Sequence, residues 1–124
     1  MISSGLRRSP KTLRSSFTDL GSLRVHHTQG GRGSPLLFIH GLGSSGYIEW
    51  RFNLEAAAHR HRVYAPDLPG FGRSAKPRAR YGIPYFTDFI ERYMDARGLR
   101  SAAVVTPHWV AGSHWSSLSR TLSG

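Results

Sequence analysis

The sequence contains no cysteine, which excludes disulfides, thiolate-bound zinc and a cysteine nucleophile. No apolar run approaches the roughly 18 residues that a membrane span needs. Acidic residues are scarce too, 7 against 17 lysines and arginines, for a formal charge of +10. A balance this basic raises nucleic acid or an anionic surface as a partner. The arginines, however, are spread from the N-terminal segment through residues 73–80 to the C-terminal segment, with no tract that would build one charged face. Nucleic acid is therefore not the expected partner, and a non-enzymatic basic module binding nucleic acid or an acidic protein stands only as the alternative reading. At 124 residues the chain suits one modest domain that buries about two thirds of its unfolded surface.

What is present begins with a basic, serine-rich segment, residues 1–18, carrying Arg7, Arg8, Lys11 and Arg14 before the first acid, Asp19. The expectation is a disordered extension, with a transit peptide as the alternative and a cytoplasmic location otherwise. Residues 20–29 alternate weakly through Leu23 and Val25, a half-buried strand, and the glycines of residues 30–34 predict a turn. Together they predict an antiparallel edge hairpin running into the next strand. His26 and His27 are adjacent, so they point to opposite faces of a strand, cannot easily share a metal, and are expected at the surface.

That next strand is the centre of the chain. Pro35, Leu36, Leu37, Phe38 and Ile39 form an unbroken apolar run, the pattern of a strand buried on both faces or of a buried helix piece, and its stop at His40, Gly41, Leu42, Gly43, Ser44 and Ser45 tips the choice to a strand. Glycines permit a sharp turn with bare N–H groups, a setting suited to a developing oxyanion. Residues 47–60 place Trp50, Leu54, Ala57 and Ala58 at helical spacing, with Glu49 and Glu55 read as the acids of its early turns. Residues 62–66 read as a strand, and Pro66, Pro69, Gly70 and Gly72 as an ordered loop. His59 and His61 flank that strand without carboxylates and are expected to be structural. Residues 83–98 predict a helix: Pro84 in its first turn, an apolar stripe of Phe86, Phe89, Ile90, Tyr93 and Met94, and Gly98 as its C-terminal cap. Residues 101–106 predict another buried strand, completing strand–helix–strand units and thus a parallel sheet.

The His40 turn and the Asp67-Leu68-Pro69-Gly70-Phe71-Gly72-Arg73-Ser74 loop, in this order and spacing, resemble the N-terminal half of the α/β-hydrolase fold. The resemblance covers residues 20–105. It implies a partial α/β-hydrolase sheet, parallel with an antiparallel N-terminal edge, no cofactor, and a small-molecule ester-like substrate for the intact parent. By analogy the Leu42 backbone N–H is an oxyanion donor, and His40, Gly41 and Gly43 line the site, with His40 bonding neighbouring backbone. Asp67 resembles the aspartate that orders its loop.

After residue 105 the pattern fails. The family places a Gly-x-Ser-x-Gly nucleophile elbow after this strand, whereas this chain reads Thr106, Pro107, His108, Trp109, Val110. Ser113, the nearest imitation, lacks the flanking glycines. The nucleophile, acid and catalytic histidine are absent, and the expected organisation is an extension at 1–18, a half-domain at 19–105 and a non-family tail at 106–124. Back-translation offers a reason. Reading codons from the old third base forces leucine across His108 and Trp109, glycine across Trp109 and Val110, and leucine across His114 and Trp115. With G or C at most other third positions, and T for Pro107, that frame gives Ser-Leu-Gly-Gly-Arg-Val-Ala-Leu, an elbow and helix start. The expectation is a frameshifted, catalytically incomplete member of the family, whose exposed final strand invites aggregation.

Overall fold

The computed structural model describes residues 13–41 and 43–107. Five strands and two helices follow in the order β1 (Arg14–Leu20), β2 (Leu23–Gly31), β3 (Ser34–Phe38), α1 (Gly46–Ala57), β4 (His61–Pro66), α2 (Ile83–Arg97) and β5 (Ala103–Val105). They build one sheet in the order β1-β2-β4-β3-β5. β2 is antiparallel to both β1 and β4, whereas β3 is parallel to β4 and β5.

Alternation along the central strands sorts the core into two layers. Leu36, Phe38, Val63 and Ala65 pack with Leu54 and Ala58 of the α1 segment. Leu37, Ile39 and Tyr64 turn the other way and meet Phe86, Phe89, Ile90, Tyr93 and Met94 of α2. Both faces are covered, which is why residues 35–39 are apolar without interruption. The α2 stripe is the predicted one, and all five residues are buried. Gly98 ends that helix at φ 74°, with its N–H on the Asp95 carbonyl and Leu99 N–H on the Met94 carbonyl, the 5→2 and 6→1 bonds of a Schellman cap.

Several expectations are corrected. Arg14–Leu20 is a strand, so order begins before residue 19. Of its inward side chains only Leu20, at its end, joins the core; Ser16 and Thr18 carry no apolar signal, and the rest of β1 is held by its ladder to β2 across the turn at Gly21. The edge hairpin is therefore β1–β2, and β2 pairs with β4 rather than β3. The glycines between β2 and β3 serve a close crossing instead of a hairpin turn. A Cβ on Gly31 would lie 2.2 Å from the His61 carbonyl oxygen, and one on Gly33 2.2 Å from that of Arg60. His26 and His27 do face opposite ways, but both are buried because β2 is an interior strand. Glu49 lies in the first turn of α1, whereas Glu55 falls in its last, where the helix dipole disfavours an acid. β5 is half-buried, not buried, since among the described residues it pairs on one side only.

Candidate active site

The parallel pairing of β3 and β5 decides the geometry. Phe38 is level with Val105, and Ile39 N–H donates to the Val105 carbonyl at 2.9 Å. Both strands therefore deliver their chain to the same edge of the sheet, one into the His40 turn and the other into Thr106 and Pro107. Crevices beyond the carboxyl ends of parallel strands are where open α/β sheets bind ligands.

His40 lies under that turn, buried at 1% exposure. Leu68 N–H donates to its Nε2 at 2.9 Å, so the imidazole is neutral and Nδ1–H donates to the Gly41 carbonyl at 2.6 Å. Burial pushes its pKa below the usual range, and the Gly41 bond and the nearby acids Asp67 and Glu49 oppose this only in part. Both ring nitrogens are committed to backbone, as expected. His40 thereby ties the β3 turn to the loop after β4.

The turn has a second anchor. Gly41 N–H donates to Glu49 Oε1 at 2.9 Å, and Trp50 Nε1 donates to the Ile39 carbonyl at 3.1 Å. The first turn of α1, capped by Ser45 Oγ on Ile48 N–H, thus reaches back over the end of β3. Gly43 is exposed with φ 85°, and a Cβ there would meet nothing within 4 Å, so its glycine serves backbone conformation. Leu42, and with it the predicted oxyanion donor, lies outside the described residues, as do Ser113 and the rest of residues 108–124.

Asp67 organises the floor. Its Oδ1 accepts from Gly46 N–H at 2.8 Å, and its Oδ2 accepts from His26 Nδ1 and Arg73 N–H, each at 2.9 Å. Ser74 Oγ donates to the Asp67 carbonyl at 2.6 Å and accepts from His26 N–H at 2.9 Å. Gly72 is required here, since a Cβ would sit 2.3 Å from Asp67 Oδ2. Gly46 must also be small, because its Cβ would lie 2.7 Å from the Ala65 carbonyl oxygen. Of the residues expected from sequence, His40, Gly41 and the Asp67 loop are brought together. His26, Glu49 and Gly46 join them from outside those motifs.

A family model described as the alpha/beta hydrolase fold matches residues 34–106. The chain belongs to the α/β-hydrolase family. Relatives include the dihydrolipoyllysine-residue acetyltransferase component of the acetoin cleaving system of Cupriavidus necator, 38% identical over 90 residues, 72% of this chain and 24% of that protein. A haloalkane dehalogenase of Agrobacterium fabrum is 32% identical over 97 residues, 77% of this chain and 32% of the relative. Among solved structures, a haloalkane dehalogenase from Agrobacterium tumefaciens C58 superposes with TM-score 0.77 at 27% identity, covering 90% of this chain and 39% of that one. An epoxide hydrolase from Vigna radiata does so with TM-score 0.73 at 26% identity, over 83% of this chain and 33% of that one. The chain thus spans about a quarter to a third of the length of these curated relatives. The family match stops at residue 106, where the hydrolase pattern fails in the sequence. The fold is a partial α/β-hydrolase sheet with an antiparallel N-terminal edge, and among the described residues no helix is long and apolar enough to cross a membrane.

Proposed function

We propose that this chain carries the oxyanion-binding half of a hydrolase active site, and that the whole protein cleaves an ester or related bond of a small molecule through a serine nucleophile. The observation that carries this reading is the shared sheet edge of β3 and β5, linked by the Ile39 to Val105 bond. It brings the strand end that precedes the family's elbow beside the glycine turn that would receive the negative charge.

Within that turn Gly41 N–H is already bound to Glu49, so the donor role falls to Leu42 N–H. His40, Gly41 and Gly43 line and position it. An acyl carbonyl attacked by the elbow serine would direct its developing oxyanion to Leu42 and to the N–H following that serine. The relatives named dehalogenase and epoxide hydrolase widen the related bonds to carbon–halogen and epoxide carbon–oxygen. The family unit ends at residue 105, and residues 106–124 are read as a shifted frame of the same gene, leaving the present chain without a nucleophile.

The test is to sequence the coding DNA from the Leu99 codon onward and read every frame. A frame continuing as Ser-x-Gly-Gly, with a later aspartate and histidine, supports the reading, and the restored enzyme is then assayed on p-nitrophenyl esters. In it, Leu42→Pro removes the donor and is expected to lower kcat by about 100- to 1000-fold. If no frame continues, or if Leu42→Pro leaves kcat unchanged, the proposal fails.

A further inference from the structure

Beside the floor described above, Ser15 on β1 adds a hydroxyl to His26 and Asp67, which sets the three in nucleophile, base and acid order. Ser15 Oγ lies 2.5 Å from His26 Nε2, and His26 Nδ1 lies 2.9 Å from Asp67 Oδ2. An ionised carboxylate only accepts, so Nδ1 carries the imidazole proton and Nε2 is left to accept from the Ser15 hydroxyl. Asp67 is held by the Gly46 and Arg73 N–H groups and is 2% exposed. His26 is 6% exposed, with the Phe17 ring packed edge-on against it at 5.2 Å. The base is therefore fixed in orientation at both ends of its ring.

Ser15 itself is exposed. Phe17, two residues along β1 and so on the same face, is 44% exposed and would receive an apolar acyl group. The Arg24 guanidinium lies 4.4 Å from the Phe17 ring centre and adds positive charge at the rim. Among the described residues β1 pairs only with β2, and alternate residues of such a strand turn their N–H groups outward, the donor type that stabilises an oxyanion.

We propose that Ser15, His26 and Asp67 form a second acyl-accepting site, in which Ser15 is acylated by esters with good leaving groups. Ser15 Oγ forms a bond to the carbonyl carbon while its proton passes to His26 Nε2. The carbon–oxygen bond to the leaving group then breaks, and His26 returns the proton to the departing oxygen. The product is an O-acyl serine and a free alcohol or phenol. This site uses neither the elbow nor Leu42, although its Asp67 also orders the floor of the first site.

A fluorophosphonate probe reports the same activation irreversibly: the Ser15 oxygen bonds phosphorus, fluoride leaves, and the proton stays on His26. The full chain is treated with the probe and labelled peptides are located by tandem mass spectrometry. General-base assistance predicts labelling of Ser15 about 100-fold faster than of the exposed Ser22, and loss of that advantage in His26→Gln. Labelling of the unmodified chain in urea is compared as well, because the relay exists only when β1, β2 and the Asp67 loop are assembled. Equal labelling of Ser15 and Ser22 in the folded chain, or an advantage that survives urea, overturns the proposal.

Discussion

Replacing Asp67 by asparagine tests whether one buried carboxylate holds the candidate site together. The side chain is 2% exposed and accepts three hydrogen bonds, from Gly46 N–H, His26 Nδ1 and Arg73 N–H. An asparagine has one acceptor oxygen and one donor NH2. If its oxygen stays toward His26 and Arg73, the NH2 meets the Gly46 N–H, and two donors face each other across 2.8 Å. The reverse orientation leaves two donors opposed instead. Hydrogen bonds to a charged group contribute about 1.5–3 kcal/mol, and a buried donor left without an acceptor costs about 1–3 kcal/mol. The two bonds that survive also lose their charge. The expected loss is about 3–5 kcal/mol, the charge-assisted bond to Gly46 N–H together with the cost of leaving that buried donor unpaired. In urea unfolding followed by far-UV circular dichroism, a slope near ~2 kcal/mol per molar turns about 4 kcal/mol into a midpoint lowered by about 2 M. The control is Glu91→Gln on the exposed face of α2, expected within about 0.5 kcal/mol of the parent. A loss under about 1 kcal/mol for Asp67→Asn would refute the view that this carboxylate organises the loop and the start of α1.

Other outcomes follow from the same structure. Burial, then the positive charge of Arg97, holds the His27 pKa down to about 4 from 6.5. Between those values the unfolded chain binds the proton and the folded one does not, so stability falls as pH drops from 6.5 toward 4. The gap caps the effect at about 3.4 kcal/mol, and solvent screening of Arg97 reduces the expectation to about 2 kcal/mol. Urea midpoints at about pH 7.5 and about pH 4.5 measure it, and His27→Gln should shrink the difference, with the buried His40 supplying part of what remains. Gly98→Ala adds only left-handed strain at φ 74°, with no atom within 4 Å of the new Cβ, and should cost about 1–2 kcal/mol. Gly31→Ala adds a contact of 2.2 Å with the His61 carbonyl oxygen and should cost clearly more in parallel thermal melts. Ile90→Ala, at 0% exposure, should lose about 2–5 kcal/mol, whereas Phe52→Ala, at 74%, should stay within about 0.5 kcal/mol.

The parts of the fold that were legible beforehand are those written in local period. The α2 stripe from Phe86 to Met94 recurs at helical spacing, Pro84 starts it and Gly98 stops it, and each effect acts within one or two turns. The run from Pro35 to Ile39 is apolar because both of its faces are covered, and the apolar run together with the glycine turn that stops it marks a strand inside the sheet. β1 is illegible for the converse reason: of its inward residues only Leu20 at its end is apolar, Ser16 and Thr18 leave no alternation, and the order of the strand comes from the ladder to β2. The burial of His26 and His27 leaves no local signal because their partners are remote in sequence. Asp67 is 41 residues from His26, and Tyr93 is 66 from His27, bonded to it at 2.6 Å. Glu49 was read for its favourable place at a helix start, and that holds, but its bond to Gly41 N–H needs the helix folded back over the end of β3.

The amino-acid order by itself determined every element but β1, the glycine turn after β3, and family membership, since each rests on residue type at short spacing. Only the tertiary structure decided the strand order β1-β2-β4-β3-β5, the burial of two histidines, and the convergence of His26, Gly46 and Arg73 on one carboxylate. The physical reason is common to all three. A strand's neighbours, and a buried polar group's partners, are chosen by which distant segments can satisfy its hydrogen bonds at once, and that condition leaves no periodic trace along the chain.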